Sequence, residues 1–272
     1  MRYLLDHQDV FQRRIGDNPV FIFLDFDGTL APIAHSPARA AIPNETRELI
    51  RELSASAQFK VAIISGRELK DIKEKLDLKK IIYVGNHGLE LEGPKIKFQV
   101  PLAEKYREIL RQIKSDLSEK LSPLKGALLE DKGLSLSLHY RQVDKKHLPR
   151  LKTILQETVI LYRVRNEIKI KSGKMVFEIR PALDWDKGKI VLWLLSRQRF
   201  ASQGNNILPL YIGDDKTDED AFKAIRRKGI TIFVGKPKTS HAQYYLKNTN
   251  DVKVLLNLLS KIAKGEALCR NP

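Results

Sequence analysis

The sequence predicts an α/β fold, a doubly wound parallel sheet interrupted by an inserted α+β module. Three observations carry this expectation. Wholly apolar runs of strand length recur without polar alternation, the sign of strands covered on both faces. Amphipathic helical stretches separate those runs, so strands and helices alternate. Between residues 105 and 184 the pattern changes to period-two strands and hairpin signals beside long helices.

The first buried run is Val20-Phe21-Ile22-Phe23-Leu24, which exits into Asp25-Phe26-Asp27-Gly28-Thr29-Leu30. A helix is expected over residues 45–55, behind Asn44, and then a strand over 59–64 that leads into Ser65-Gly66-Arg67. A helix over 68–76 and a strand over 81–84 follow, the latter leading into Gly85-Asn86-His87-Gly88. The inserted module reads as αββαββ. Its parts are a helix over 104–121, a turn signal over 126–133, an alternating strand over 134–141, a helix over 146–156, and a hairpin formed by 167–171 and 174–180. Beyond it come a helix over 188–199, a strand over 208–212 ending in Gly213-Asp214-Asp215, and a helix over 218–227. A strand over 230–234 leads into Gly235-Lys236-Pro237, and a helix over 252–263 completes the pattern. The expected division is residues 1–104 and 185–272 for the sheet core, with 105–184 as the insertion. The polar signatures cluster at the carboxyl ends of strands, where parallel sheets form their ligand crevice.

Composition narrows the function classes. The 272 residues, 42% hydrophobic and 30% charged, suit a soluble globular protein of one large or two modest domains. No apolar run approaches a membrane span, and residues 1–14 lack the apolar core of a secretory signal. The one cysteine, Cys269, permits no internal disulfide and no cysteine-built zinc site, and its place near the C-terminus argues against a nucleophile. A cytoplasmic monomer with no membrane partner is expected. The net charge of +16 invites a nucleic-acid reading. However, the cations lie in short pairs such as Lys79-Lys80, Lys145-Lys146 and Arg226-Arg227-Lys228, with no Arg-rich arm. Solvated helix faces are the expected outcome, and no nucleic-acid partner is anticipated. A positive field favours a small anionic substrate.

Several residues carry chemistry. Asp25 and Asp27 end a buried strand, where two carboxylates need a cation or a basic group to offset them. One carboxylate could attack phosphorus while the other handles the proton of the leaving group. A divalent cation would relieve their repulsion from a phosphate dianion. Ser65 could donate to a phosphate oxygen, yet Ser65-Gly66-Arg67-Glu68 also reads as a capping box for the next helix. Lys187 opens a helix after Asp184-Trp185-Asp186, in position to face a phosphate. Asp214 follows a buried strand and a glycine and is the favoured magnesium ligand, with Asp215 and Asp218 supporting it. Glu219 and Asp220 read as ordinary helix-start acids. In the insertion, Glu130 shares a strand face with Lys132, and Glu178 shares one with Arg180 and Val176. Such groups are suited to sugar hydroxyls, though charged sheet faces are also common at surfaces.

Together Asp25-Phe26-Asp27-Gly28-Thr29, Ser65, Lys187 and Gly213-Asp214-Asp215 with Asp218 resemble the four ordered motifs of the haloacid dehalogenase superfamily. Further segments narrow the likeness: Gly85-Asn86-His87-Gly88-Leu89-Glu90, Glu130-Asp131-Lys132-Gly133, Phe177-Glu178-Ile179-Arg180-Pro181 and Asp186-Lys187-Gly188. With them, the chain resembles the trehalose-6-phosphate phosphatase family from Phe21 to about Gly235. The resemblance implies a Rossmann-like core with a mobile α/β cap domain, and hydrolysis of trehalose 6-phosphate, a phosphorylated disaccharide. By that likeness Asp25 is the nucleophile, and Asp27 is the general acid and then the base. Magnesium is held by Asp25, the Asp27 carbonyl and Asp214, with Asp215 or Asp218 helping through water. Ser65 and Lys187 hold the phosphoryl group, and Gly28, Gly66 and Arg67 join the substrate-binding set. Glu130, Lys132 and Glu178 grip the sugar, with His87 and Arg141 as further contacts. One departure is Pro32-Ile33-Ala34-His35-Ser36-Pro37, which carries His35 and Ser36 where relatives are often acidic. Another is that no glycosyltransferase domain accompanies the motifs, so a stand-alone phosphatase is expected.

Within the enzyme class the alternative is a phosphatase for sucrose, glucosylglycerol or mannosylglycerate phosphate, which the core motifs cannot separate from trehalose 6-phosphate. Outside that class it is a non-catalytic phosphosugar sensor, against which the intact Asp25, Asp27, Lys187 and Asp214 argue.

Overall fold

A computed structural model describes residues 1–34, 36–101, 103–173, 175–201, 206–236 and 239–266. His35, Lys174, Pro237 and Cys269, named above, lie outside the described residues. The chain divides into two compact units, one of Met1–Phe98 with Trp185–Pro272 and one of Gln99–Asp184.

The first unit begins with β1 (Arg2–Tyr3), α1 (Gln8–Ile15), β2 (Val20–Leu24), α2 (Asn44–Ala55), β3 (Phe59–Ile64), α3 (Leu69–Leu76) and β4 (Ile82–Gly85). It continues through β5 (Glu90–Gly93) into β6 (Ile96–Gln99). In the second unit come α4 (Ala103–Leu121), β7 (Leu128–Asp131), β8 (Leu136–His139), α5 (Leu148–Val164), β9 (Ile168–Gly173) and β10 (Val176–Pro181). The chain then returns through α6 (Lys187–Ala201), β11 (Leu208–Gly213), α7 (Asp218–Ile225), β12 (Ile230–Val234), β13 (Tyr244–Leu246) and α8 (Thr249–Ala263).

Among the described residues the first unit's strands form a sheet in the order β1-β13-β12-β11-β2-β3-β4-β5-β6. Every ladder from β1 to β4 is parallel, whereas β5 pairs with β4 antiparallel. Alternation of side chains explains the unbroken apolar runs. Ile22, Leu24, Val61, Ile63 and Ile232 enter one core with Ile50 and Leu53 of α2 and Val252 and Leu255 of α8. Phe21, Phe23, Ala62, Ile64 and Phe233 enter the other, against Ile190 and Leu194 of α6 and Phe222 of α7. Helices on both faces leave no side of a central strand for water. Since β2 lies between β3 and β11, the direction of winding reverses between β2 and β11, the switch point where such sheets open their crevice.

The second unit is a four-stranded antiparallel sheet, β7-β8-β10-β9. Leu136, Leu138 and Ile179 pack on Ile113 and Leu117 of α4 and Leu151, Leu155 and Val159 of α5. Register places Glu130, Ser137, Glu178 and Lys171 in one row across the opposite, polar face.

Several expectations need correction. The division falls after Phe98 and not at 104/105, because the hairpin strands β5 and β6 extend the first unit's sheet. Those strands escaped notice because only Leu91 of β5 is fully buried. α5 begins at Leu148 and runs on to Val164. Leu161 and Val164 on its last turns are exposed, which breaks the amphipathic pattern that ended the expected helix at 156. The capping box at Ser65 does not form: α3 starts at Leu69, and its Leu69 N–H donates to Glu90 of β5 instead.

Candidate active site

β2 delivers Asp25 to the switch point, and its N–H still continues the sheet ladder by donating to the Ile212 carbonyl at 2.9 Å. The chain then turns sharply: the Gly28 N–H donates to the Ala31 carbonyl, and the Leu30 and Ala31 N–H groups donate to that of Phe26. Gly28 has φ +88°, and a Cβ there would lie 2.1 Å from Asp214 Oδ2. The glycine therefore serves two needs, a left-handed turn and room for the Asp214 carboxylate beside it.

β11 supplies the other half. Asp25, Asp214 and Asp218 are buried and each offers a carboxylate oxygen, these lying within 4.8 Å of one another. Lys187, the first residue of α6, bridges two of them, with Nζ 2.7 Å from Asp25 Oδ1 and 2.7 Å from Asp218 Oδ1. Asp218 is a hub. Its Oδ1 also accepts from the Tyr211 hydroxyl at 2.7 Å, and its Oδ2 accepts from the N–H groups of Asp214 and Asp215 at 3.0 and 2.9 Å. A Cβ on Gly213 would lie 2.3 Å from the Asp218 carboxyl carbon, so glycine is needed there for close approach.

The electrostatics follow from burial. Desolvation, opposed by Lys187 but reinforced by Asp218 and Asp214, pushes the Asp25 carboxyl well above the usual carboxylate range. Burial works against a charged Lys187, yet Asp218 and Asp25 hold it well above an ordinary lysine. Tyr211 is also pushed up, by burial and then by Asp218. Full ionisation of three buried acids facing one ammonium would leave excess negative charge, and an all-oxygen donor set fits a hard dication such as Mg2+.

Two acids of the motifs, Asp215 and Asp27, lie outside this cluster. Asp215 is half-buried and contributes its N–H to Asp218. The Asp27 carboxylate turns instead to Arg67, which grips it with two hydrogen bonds, Nε to Oδ2 and Nη2 to Oδ1, both 2.7 Å. Arg67 Nη1 reaches Asp71 Oδ2 of α3, also at 2.7 Å. Burial opposes the guanidinium charge, but Asp27 and then Asp71 keep it above even the usual arginine value.

Ser65 is buried at the end of β3, and its Oγ accepts from the Arg67 N–H at 3.2 Å. The turn after β4 packs on this loop: the Asn86 N–H donates to the Arg67 carbonyl and the His87 N–H to that of Ser65. Asn86 and His87 both hold left-handed φ, +47° and +56°, a strained choice for residues with side chains. The His87 ring lies against Gly66, where a Cβ would come within 2.3 Å of its Nε2.

In the second unit, Lys132 Nζ is 3.5 Å from Glu178 Oε1 and 4.0 Å from Glu130 Oε2. Arg180 Nε donates to Glu178 Oε2 at 2.8 Å, and His139 Nε2 lies 2.7 Å from Glu130 Oε2. Arg141 is exposed just beyond β8. Tyr211, Asp71 and His139 were not singled out from the sequence, and Glu90 stood there only as the last residue of a motif. Tyr211 hides in an apolar strand and Asp71 in an amphipathic helix, so neither had a local signal. Parity with Glu130 could have found His139, since register sets it two positions along on the same face.

The trehalose-phosphatase family model matches residues 23–250. Trehalose-phosphate phosphatase B of Arabidopsis thaliana is 34% identical over 254 residues, covering 88% of this chain and 66% of that protein, just under two thirds of its length. The solved C-terminal domain of C. albicans trehalose-6-phosphate phosphatase aligns with TM-score 0.81 and 22% identity, over 94% of this chain and 97% of that one. The C-terminal domain of the Candida albicans trehalose synthase regulatory protein aligns with TM-score 0.72 and 14% identity, over 92% and 97%. Both solved structures bear on fold alone, an α/β fold shared over nearly the whole of this chain. The family match and the Arabidopsis relative together decide the matter: the chain belongs to the trehalose-phosphatase family.

Proposed function

We propose that this protein is a Mg2+-dependent phosphatase that hydrolyses trehalose 6-phosphate to trehalose and phosphate, completing trehalose synthesis. The observation that carries the reading is the buried cluster of Asp25, Asp214 and Asp218 around Lys187 at the switch point of the sheet. Asp25 acts as the nucleophile: its oxygen bonds to phosphorus as the bond to the sugar oxygen breaks, and Asp27 gives that oxygen its proton. Water then attacks the aspartyl-phosphate, Asp27 takes a proton from the water, and Asp25 is released. Lys187, fixed between Asp25 and Asp218, offsets the charge of the transferring group, with Ser65 as a further donor.

Asp25, the Asp27 carbonyl and Asp214 would hold Mg2+, because Asp218 already accepts from four donors and serves to orient the others. When bound, the ion supplies charge neutralisation between the carboxylates and the phosphate dianion. Glu130, Lys132 and Glu178, with Arg141, read the sugar hydroxyls, and the second unit is the family's cap domain.

A sensor reading is favoured by one observation, the shared fold of the C. albicans regulatory protein domain. The intact acids and Lys187 favour the enzyme. The test is phosphate release from a panel of phosphorylated sugars, with and without Mg2+. The reading expects trehalose 6-phosphate to be the best substrate and chelation to abolish turnover. Release from sucrose, glucosylglycerol or mannosylglycerate phosphate in preference moves the specificity. Binding without release on any sugar supports the sensor.

A further inference from the structure

We propose that Arg67 is a positioning residue for Asp27, a buried guanidinium braced by Asp71 that fixes the plane of the carboxylate that carries the proton. The inference rests on the phosphatase reading, with Asp27 as its acid and base.

The burial pattern is the first support. The Arg67 side chain is 6% exposed, whereas those of Asp27 and Asp71 are 44% and 37% exposed. A group so enclosed has little surface to offer a substrate, so its influence on the reaction passes through Asp27. Geometry is the second support. Nε and Nη2 approach the two oxygens of Asp27 in parallel, the fork that lets guanidinium, unlike ammonium, fix a carboxylate in orientation as well as place. Nη1 is held by Asp71 in the first turn of α3, and the guanidinium carbon lies 5.2 Å from the centre of the Phe26 ring. The backbone is anchored as well, with the Arg67 N–H on Ser65 Oγ and its carbonyl accepting from Asn86.

The consequence is chemical. An aspartate this exposed would otherwise exchange rotamers, and proton delivery to the sugar oxygen requires one orientation at the instant the P–O bond breaks. As Asp27 gives up its proton it becomes the carboxylate that the fork holds best. The same fork then leaves it set to take a proton from the attacking water.

The leaving group separates this role from a substrate contact. A sugar alkoxide needs a proton as it departs, whereas p-nitrophenolate leaves without one. The experiment compares wild type with Arg67→Lys, Arg67→Ala and Asp71→Asn on trehalose 6-phosphate, or on whichever phosphorylated sugar the wild type turns over. Single-turnover p-nitrophenol release from p-nitrophenyl phosphate is measured beside it. Arg67→Lys should lower kcat on the sugar phosphate by about 10–100-fold, as a misplaced proton donor does. KM should stay within about 2-fold, because no ground-state contact is lost. Single-turnover p-nitrophenol release should be almost unchanged, Asp71→Asn should show a smaller loss of the same kind, and millimolar guanidinium should restore part of the Arg67→Ala rate. A large rise in KM with kcat kept would place the guanidinium on the substrate and overturn the inference. So would equal losses on both substrates, or no loss in Arg67→Lys and Asp71→Asn. Because the half-buried Asp71 lies outside the hydrophobic core cluster, its variant answers even where Arg67→Ala fails to fold. A wild type that turns over no phosphate ester refutes the phosphatase reading itself, and with it the role assigned here; an active wild type indifferent to Arg67 refutes only the role.

Discussion

Asp25 is a residue whose chemistry and stability pull in opposite directions. Its carboxyl is pushed up by burial, and neighbouring negative charge adds to the effect. The linkage sign follows: the stability credited to its protonated form is full below the ordinary aspartate range and is lost as pH rises through the higher folded value. At neutral pH the ionised form is thus a burden on the native state. Asp25→Asn should melt above the wild type in chelated buffer near pH 7, with the gap closing near pH 4 and narrowing when Mg2+ is added. The same variant should lose about 10³-fold or more in phosphate release, as expected for loss of a nucleophile. Thermal melts with and without chelator, beside a phosphate assay, check both halves. A variant that melts lower in chelated buffer would mean that the Lys187 ion pair outweighs desolvation.

At the scale of elements, the strands were legible and their partners less so. Val20 to Leu24 announced a strand covered on both faces because every side chain is apolar, and alternate residues do enter opposite cores. β5, at Glu90-Leu91-Glu92-Gly93, gave no such signal because it is half solvated. Yet it does a specific job, since Glu90 Oε1 accepts from the Leu69 N–H at 2.9 Å and from Asn86 Nδ2 at 2.8 Å. A carboxylate from another strand thereby caps α3 and tethers the strained turn at Asn86 and His87. In the sequence Ser65 read either as that cap or as a phosphate donor, because only neighbouring residues are visible there as caps. Glu90→Ala should lower unfolding stability by about 1 kcal/mol, the size of a lost cap, as read from the urea midpoint at constant slope. A change under a few tenths would show that water replaces the cap.

For the whole molecule, the shift in pattern near residue 100 was readable because the insertion alternates with period two while the core does not. The boundary itself was not, because β6 extends the core sheet with a short, half-buried strand. Residues 99–184 have their own apolar core between two helices and four strands. Expressed alone, they should unfold in a single cooperative urea transition, and a featureless slope would show that they depend on the rest of the chain. Net charge works at this scale too. With +16 overall and the dianionic substrate proposed above, kcat/KM should fall several-fold between roughly 0.02 and 0.3 M salt while kcat holds. A flat profile would show that the basic surface does not steer substrate. The acids that the fold gathers were legible where they follow a buried strand, as with Asp25 and Asp214. Their pairing was not, since Lys187 meets Asp25 across 162 positions of sequence.

The most direct test of the account is an acid-quenched reaction with trehalose 6-phosphate labelled in its phosphate. The account predicts transient label on the peptide bearing Asp25, cleared by hydroxylamine and absent from Asp25→Asn. Steady phosphate release from the wild type with no label on the protein, or with label on another residue, would contradict it.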